Sequence, residues 1–218
     1  MANNELLSAS LSGTALLILL QLSSRLVTFA LNQILLRFTS PQVFGTVAIQ
    51  LELLLNTILF LSREGVRGAL LRSGKDNDRQ RIYNTAGLPI LLGIPLAVVV
   101  SYAYERTALA SVTAQPHFVA TVWLYAVSAI LELLAGPMLI LCQSDMNFRL
   151  RVSIEGMAVV VKALTTLAFI ARFGQDSALL GFALGQVAFS LVIVVRYAWN
   201  GYRDQGISLW PRKIGTSR

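Results

Sequence analysis

Cysteine, histidine and charge are scarce in this sequence, and each scarcity excludes something. A single cysteine, Cys142, rules out an intrachain disulfide and any thiolate-rich metal site. A single histidine, His117, beside Pro116, argues against a histidine-built zinc centre and reads as a loop or interface residue. Charged residues are 13% of the 218 positions, whereas a soluble domain carries roughly 25%. The first ten residues hold Glu5 and no Lys or Arg, so no secretory signal peptide is expected there. No Asn-x-Ser/Thr sequon occurs. Phosphate-binding loops, serine-hydrolase elbows and zinc-protease helices are also missing. No catalytic residue, cofactor or metal is therefore expected.

What is present is apolar. Hydrophobic residues make up 55% of the chain and the mean hydropathy is +0.64. A membrane-spanning helix needs about 20 mostly apolar residues. Six stretches qualify: about 11–36, 43–62, 86–104, 118–141, 152–171 and 178–199. They are continuous rather than alternating, which excludes a transmembrane barrel. A soluble helical protein would need polar stripes along most helices. Leu88 to Val100 has none, and Leu179 to Val195 has only Gln186 and Ser190. The expected fold is all-α: a six-helix membrane lobe over residues 1–199, followed by a basic tail at 200–218.

The net charge of +7 would suggest nucleic acid in a soluble protein. Here the cations sit between apolar runs, so a membrane surface is the better partner. Arg63, Arg67, Arg72, Lys75, Arg79 and Arg81 fall between the second and third stretches. Arg149 and Arg151 fall between the fourth and fifth. Arg196, Arg203, Arg212, Lys213 and Arg218 close the chain. These thirteen share one side, against Arg37, Arg106 and Arg172 on the other. Positive charge marks the cytosolic side, so both termini are expected there.

Some polar groups remain inside the spans. Arg25 and Lys162 are the cations, and Glu52, Glu132 and Glu155 the acids. A charge at the bilayer centre costs from about 2.5 to above 10 kcal/mol. Such residues face a bundle interior or a wet cavity, either as helix-holding ion pairs or as functional groups. Gln21, Arg25, Thr28 and Asn32 fall at i, i+4, i+7 and i+11, one face of the first helix. Glu155 and Lys162 share a face two turns apart, beyond reach of each other, so each should meet another helix or a headgroup. Glu132 lies one turn before Gly136-Pro137, where proline removes a backbone hydrogen bond. Gly181 and Gly185 form a GxxxG spacing, read as helix packing.

Several segments together carry a family resemblance. They are SSRLVTFALNQILLRFTSPQVFGTV (23–47), FLSREGVRGALLR (60–72), QPHFVATVW (115–123), ILELLAGPMLILCQ (130–143) and SIEGMAVVVKALTTLAF (153–169). In this order and spacing the chain resembles the Rft family, the oligosaccharide translocation proteins of the endoplasmic reticulum. That family lies within the multidrug/oligosaccharidyl-lipid/polysaccharide exporter superfamily. The Arg63-Glu64-Gly65-Val66-Arg67 core is its most specific element. The resemblance implies a role in asparagine-linked glycosylation, moving a dolichol-diphosphate oligosaccharide between leaflets. Family members have two pseudo-symmetric lobes around a cleft, and this chain matches one lobe, which a second lobe or another chain would complete.

On that reading a diphosphate head crosses in a cavity whose Arg and polar side chains replace its water, while the dolichol stays in lipid. Arg25 would line the cavity. Arg63 and Arg67 would capture the head at the cytosolic mouth, with Glu64 orienting them. The plainer reading of those two arginines is anchoring to anionic lipid. Arg37 would meet the head near the luminal exit. Glu132, Glu155 and Lys162 would pair across helices or bind sugar hydroxyls. Two other functions fit the composition: an ion-coupled exporter using Glu52 or Glu132, and a non-transporting scaffold for glycosylation enzymes.

Overall fold

The computed structural model describes residues 22, 25–26, 29–72, 87–144 and 148–204. All of the long elements are helices. We label them α1 (29–38), α2 (Pro41–Gly45), α3 (Glu52–Arg72), α4 (Leu88–Thr107), α5 (Ala110–Thr113), α6 (Phe118–Ser144), α7 (Phe148–Phe173) and α8 (Ala178–Asp204). A π-helical segment, Thr46–Leu51, joins α2 to α3 without a break. Positions 22, 25 and 26 are helical as well.

Local sequence explains the junctions. Pro41 disfavours helix at the residue before it, and Ser40 is extended, with φ −69° and ψ 147°. The Ser40 hydroxyl then accepts a hydrogen bond from the Val43 N–H at 3.3 Å, capping α2. At the same end of the bundle, Gly174 takes φ 84°, a conformation open to glycine, and lets α7 turn back into α8. His117 is the one described non-glycine residue with positive φ (61°), in the turn that starts α6.

Five described stretches are long and apolar enough to cross a membrane: Pro41–Glu64, Leu88–Thr107, Phe118–Leu139, Leu150–Phe173 and Gln175–Asn200. The expected first helix, 11–36, falls largely outside the described residues. The polarity of the bundle is that of a membrane protein. Leu53, Phe60, Leu91, Val99 and Trp199 are each more than three-fifths exposed. Thr121, Ser128, Thr166, Gln186 and Ser190 are buried. A soluble bundle would show the reverse, because water rewards the burial of leucine rather than of glutamine. The chain is a multi-pass membrane protein.

Two expectations about loops need correction. Helix α3 continues to Arg72, so Arg63, Glu64 and Arg67 lie on a helix and not in the connection after it. The segment from Ser62 to Arg72 has no proline, and its three arginines, two leucines and one alanine are strong helix formers that outweigh Gly65 and Gly68. Arg149 and Arg151 likewise belong to α7, which starts at Phe148.

The tightest packing is between α7 and α8, which run antiparallel. Gly181 faces Phe169 and Ile170, and Gly185 faces Lys162 and Thr166. A Cβ added at Gly185 would overlap the Thr166 hydroxyl and approach the Lys162 carbonyl oxygen to 2.8 Å. The GxxxG spacing is thus a packing device, as expected. Gly156 of α7, by contrast, has nothing within 4 Å of such a Cβ. The two glycines should respond oppositely to alanine. Gly185→Ala should destabilise by about 1–3 kcal/mol through overpacking. Gly156→Ala should be neutral or stabilising by up to about 1 kcal/mol. Thermal unfolding of the two variants in detergent checks this, and equal melting temperatures would contradict the packing assignment.

Candidate functional site

A cavity of about 450 Å³ lies inside the bundle. Asn32 of α1, Glu52 and Asn56 of α3, Glu132 of α6, Lys162 and Thr166 of α7 and Gln186 of α8 supply its polar lining. Apolar residues close the rest, among them Phe44 and Val47 from α2 and the π segment, and Phe182 and Phe189 from α8.

The π segment matters to this site because it immediately precedes Glu52. Its wider turn resets the helical phase of everything after it. It is also pinned from outside the cavity. The Thr46 hydroxyl donates to the Gln42 carbonyl at 3.0 Å and accepts from Gln115 Nε2 at 2.9 Å. Tyr104 donates its hydroxyl proton to Gln50 Oε1 at 2.7 Å. With both ends of the segment tied to α4 and to the turn before α6, Glu52 is presented inward.

Glu52 meets Lys162 across the cavity, Oε1 to Nζ at 2.8 Å. The ammonium also lies 5.9 Å from the Phe189 ring centroid, within cation–π reach. Both side chains keep about a quarter to a third of their surface exposed, 25% for Lys162 and 32% for Glu52. The pair is therefore open to the cavity rather than sealed in protein. In hydrocarbon each charge alone would cost several kcal/mol, and pairing removes most of that.

Glu132 is held differently. Its Oε1 accepts from Gln186 Nε2 at 3.0 Å and from the Ser190 hydroxyl at 3.2 Å. The same Ser190 hydroxyl lies 3.0 Å from the Gln186 carbonyl. It has one proton, so it serves one acceptor at a time. Gln186 and Ser190 sit at i and i+4 on α8 and are 2% and 0% exposed. The carboxylate is thus wired to one helix face. The charges of Arg63, Lys162 and Glu52 all act on it through space.

Glu52, Asn56, Leu59 and Arg63 occupy i, i+4, i+7 and i+11 of α3, a single face. Arg63 therefore stands about 16 Å along the helix from Glu52, toward its C-terminal end. Its Nε lies 3.7 Å from Glu64 Oε1. Arg67 is helical, and its side chain lies outside those described. Arg25, helical, and Arg37, on α1, are both exposed, and neither lines the cavity.

Glu155 departs from the expectation of a partner on another helix. It pairs with Arg151, one turn earlier on α7, Nε to Oε1 at 2.7 Å. The i, i+4 spacing makes this the nearest available cation. The sequence reading placed Arg151 in a loop and so overlooked it. Lys162 finds its partner on another helix, in Glu52. Glu52 was singled out in the sequence only as an ion site of an exporter, without its partner Lys162, and the residues not assigned to a site are Gln186 and Ser190. Their signal was present: two polar residues at i, i+4 in an otherwise apolar span.

Five apolar spans, four of which line a cavity holding an ion pair and a hydrogen-bonded carboxylate, define a polytopic helical membrane protein with a charged interior. A model of one family, described as Rft protein, matches residues 9–218. The chain belongs to the Rft family. It is similar to a Dictyostelium discoideum protein named Man(5)GlcNAc(2)-PP-dolichol translocation protein RFT1, 34% identical over 200 residues, covering 89% of this chain and 37% of that protein. The Saccharomyces cerevisiae protein of the same name is 29% identical over 252 residues, covering 99% of this chain and 43% of its own length. The Mus musculus protein is 32% identical over 182 residues, covering 83% and 34% respectively. The chain spans about two-fifths of the length of the curated relatives it matches. No solved structure matches it.

The ion pair gives a direct test. Lys162→Met should leave Glu52 charged without its partner and cost about 1.5–3 kcal/mol. Glu52→Gln in the same background should recover much of that. Unfolding of the single and double variants yields the coupling energy, expected at about 1–2 kcal/mol. A coupling near zero would mean that the contact contributes nothing.

Proposed function

We propose that this chain is one lobe of a translocator that moves a dolichol-diphosphate-linked oligosaccharide across the endoplasmic reticulum membrane for protein N-glycosylation. The observation that carries the reading is the match of residues 9–218 to the Rft family, together with the name shared by its relatives. The second lobe, from the remaining length of such a protein or from another chain, would complete the cleft. Residues 1–199 would form the lobe and 200–218 a cytosolic tail, with both termini in the cytosol. The thirteen-to-three distribution of positive charge supports that orientation.

In this reading the cations divide by position. Arg25 is an exposed, helical cation within the expected first span. It would be costly against lipid and useful against a phosphate. It would contact the diphosphate in the cleft. Arg63 and Arg67, with Glu64, would receive the head at the cytosolic end, and Arg37 would meet it at the opposite end. Glu132, with its bonds to Gln186 and Ser190, and the Glu52–Lys162 pair would set the shape and polarity of the lobe interior, where sugar hydroxyls find both donors and acceptors. Glu155, already paired with Arg151, would hold the start of α7 in place.

The test is a chimera in yeast depleted of its own family member, with the matching segment replaced by this chain. Gel mobility of a vacuolar glycoprotein reads the outcome. Restored glycosylation is expected, and Arg25→Ala should reduce it while the protein level holds. Underglycosylation with the chimera present in the membrane would refute the function. Full glycosylation with Arg25→Ala would remove Arg25 from the pathway and favour a scaffold.

A further inference from the structure

A seam of buried hydroxyls runs where α3, α4 and α6 pack on one another, beside the polar cavity. On α6, Thr121, Tyr125, Ser128 and Glu132 fall at i, i+4, i+7 and i+11, one face of the helix. The first three are 0% exposed, and so is Ser101 of α4. Two contacts set the register of α4 against α6. The Tyr104 and Phe118 rings are 5.9 Å apart, and Gly93 faces Leu133 and Ser62. The two helices are therefore antiparallel. Ser101, one turn before Tyr104, stands level with Thr121, one turn after Phe118. Tyr125 lies a further turn along, close enough to Glu52 for the carboxylate charge to act on its hydroxyl. Glu52 itself lines the cavity.

Hydroxyls in this bundle behave in two ways. Those of Ser62, Ser128 and Thr166 donate to the carbonyl one turn earlier on their own helix, at 2.6, 2.9 and 2.9 Å. That back-bonding is the local way to satisfy a hydroxyl on a helix. The side-chain oxygens of Ser101, Thr121 and Tyr125 are buried and have no hydrogen-bond partner among the described residues. Tyr125 has no local remedy, because its phenol oxygen stands too far from its own backbone to turn back to it. A buried tyrosine hydroxyl normally finds a partner. Three neighbouring hydroxyls left unpaired would be costly in a dry seam.

We infer that this seam is a binding site for water, a short chain of ordered molecules that bridges Ser101, Thr121 and Tyr125 and opens to the cavity beside Glu52. An ordered internal water takes about two to four polar partners. The facing hydroxyls of Ser101 and Thr121, then Tyr125, then Glu52, supply them in succession. The three hydroxyl-bearing residues have no exposed surface, and closely packed helices leave room between them for nothing larger than water. Glu52 is thus hydrated from the seam as well as from the cavity. The wet track leads from the ion pair toward the end of the bundle where Tyr104 meets Gln50. None of the three hydroxyl-bearing residues is assigned to the translocated head, so the site stands apart from that reading.

One test needs no variant. The full chain in lipid nanodiscs is given a synchrotron X-ray pulse, and mass spectrometry locates side chains oxidised by radicals formed from water bound beside them. Tyr125 should be oxidised although it is 0% exposed, well above the background at buried Met138 in the other core cluster. A second test reads the sign of a stability change. Tyr125→Phe and Thr121→Val each delete a hydroxyl with little change of shape. Each should lower the melting temperature by about 2–4 °C. The double variant should lower it by less than the sum, because the first deletion already releases shared water. Gel filtration confirms that each variant is folded. In a dry seam the same deletions remove an unsatisfied group, so the melting temperature stays level or rises. That result, or a Tyr125 no more oxidised than Met138, overturns the proposal.

Discussion

The interior of this helical bundle is arranged around the cost of charge in hydrocarbon. An isolated carboxylate or ammonium there is expensive enough to outweigh several packing contacts. Glu52 and Lys162 answer that cost by meeting at 2.8 Å, and the answer links α3 to α7 across a cavity rather than through packed side chains. The pair therefore acts as a strut. It keeps two helices in register while leaving open the space between them, something a leucine contact would have filled.

The strut depends on packing elsewhere. Lys162 is placed by the close approach of α8 to α7, where Gly185 lies against the Lys162 carbonyl and Thr166. The next residue, Gln186, reaches Glu132 on α6. One glycine thus sets the height of the ammonium and of the amide that holds the second carboxylate. The Thr166 hydroxyl turns back to the Lys162 carbonyl at 2.9 Å, so it competes for no group in the cavity. On the other side, the π segment and its ties to Gln115 and Tyr104 aim Glu52. Two independent backbone devices, a missing side chain and an extra residue in a turn, converge on one ion pair.

Much of this was legible in the sequence. Long apolar runs fix helices in lipid because the backbone has no other way to satisfy itself, so five spans could be placed within a few residues. The spacing of Gly181 and Gly185 pointed to the α7–α8 contact. Partner choice was less legible. Glu155 and Lys162 look equivalent along α7, yet one pairs within its helix and the other across the bundle. The difference lies in which turn of a neighbouring helix stands opposite, and that is a property of tertiary packing. The π segment left no trace either, since Thr46–Leu51 is an ordinary apolar stretch and the extra residue is stabilised by groups about 55 and 70 positions away. Arg63 and Arg67 were assigned to a loop because charge was taken to end a helix, whereas charge ends only the membrane span.

The charges of the bundle then separate into two sets with different physical demands. The inner set, Glu52, Lys162 and Glu132, is compensated by its own members, by Gln186 and Ser190, and by the charge of Arg63 acting on Glu132. The outer set includes Arg25, helical and exposed, and Arg37, exposed on α1, both without an ion pair among the described residues. If a diphosphate is the cargo, the exposed arginines of the outer set, which have no ion pair among the described residues, are the cations free to meet it. The inner charges are already engaged with one another, and their pair holds α3 and α7 across the cavity.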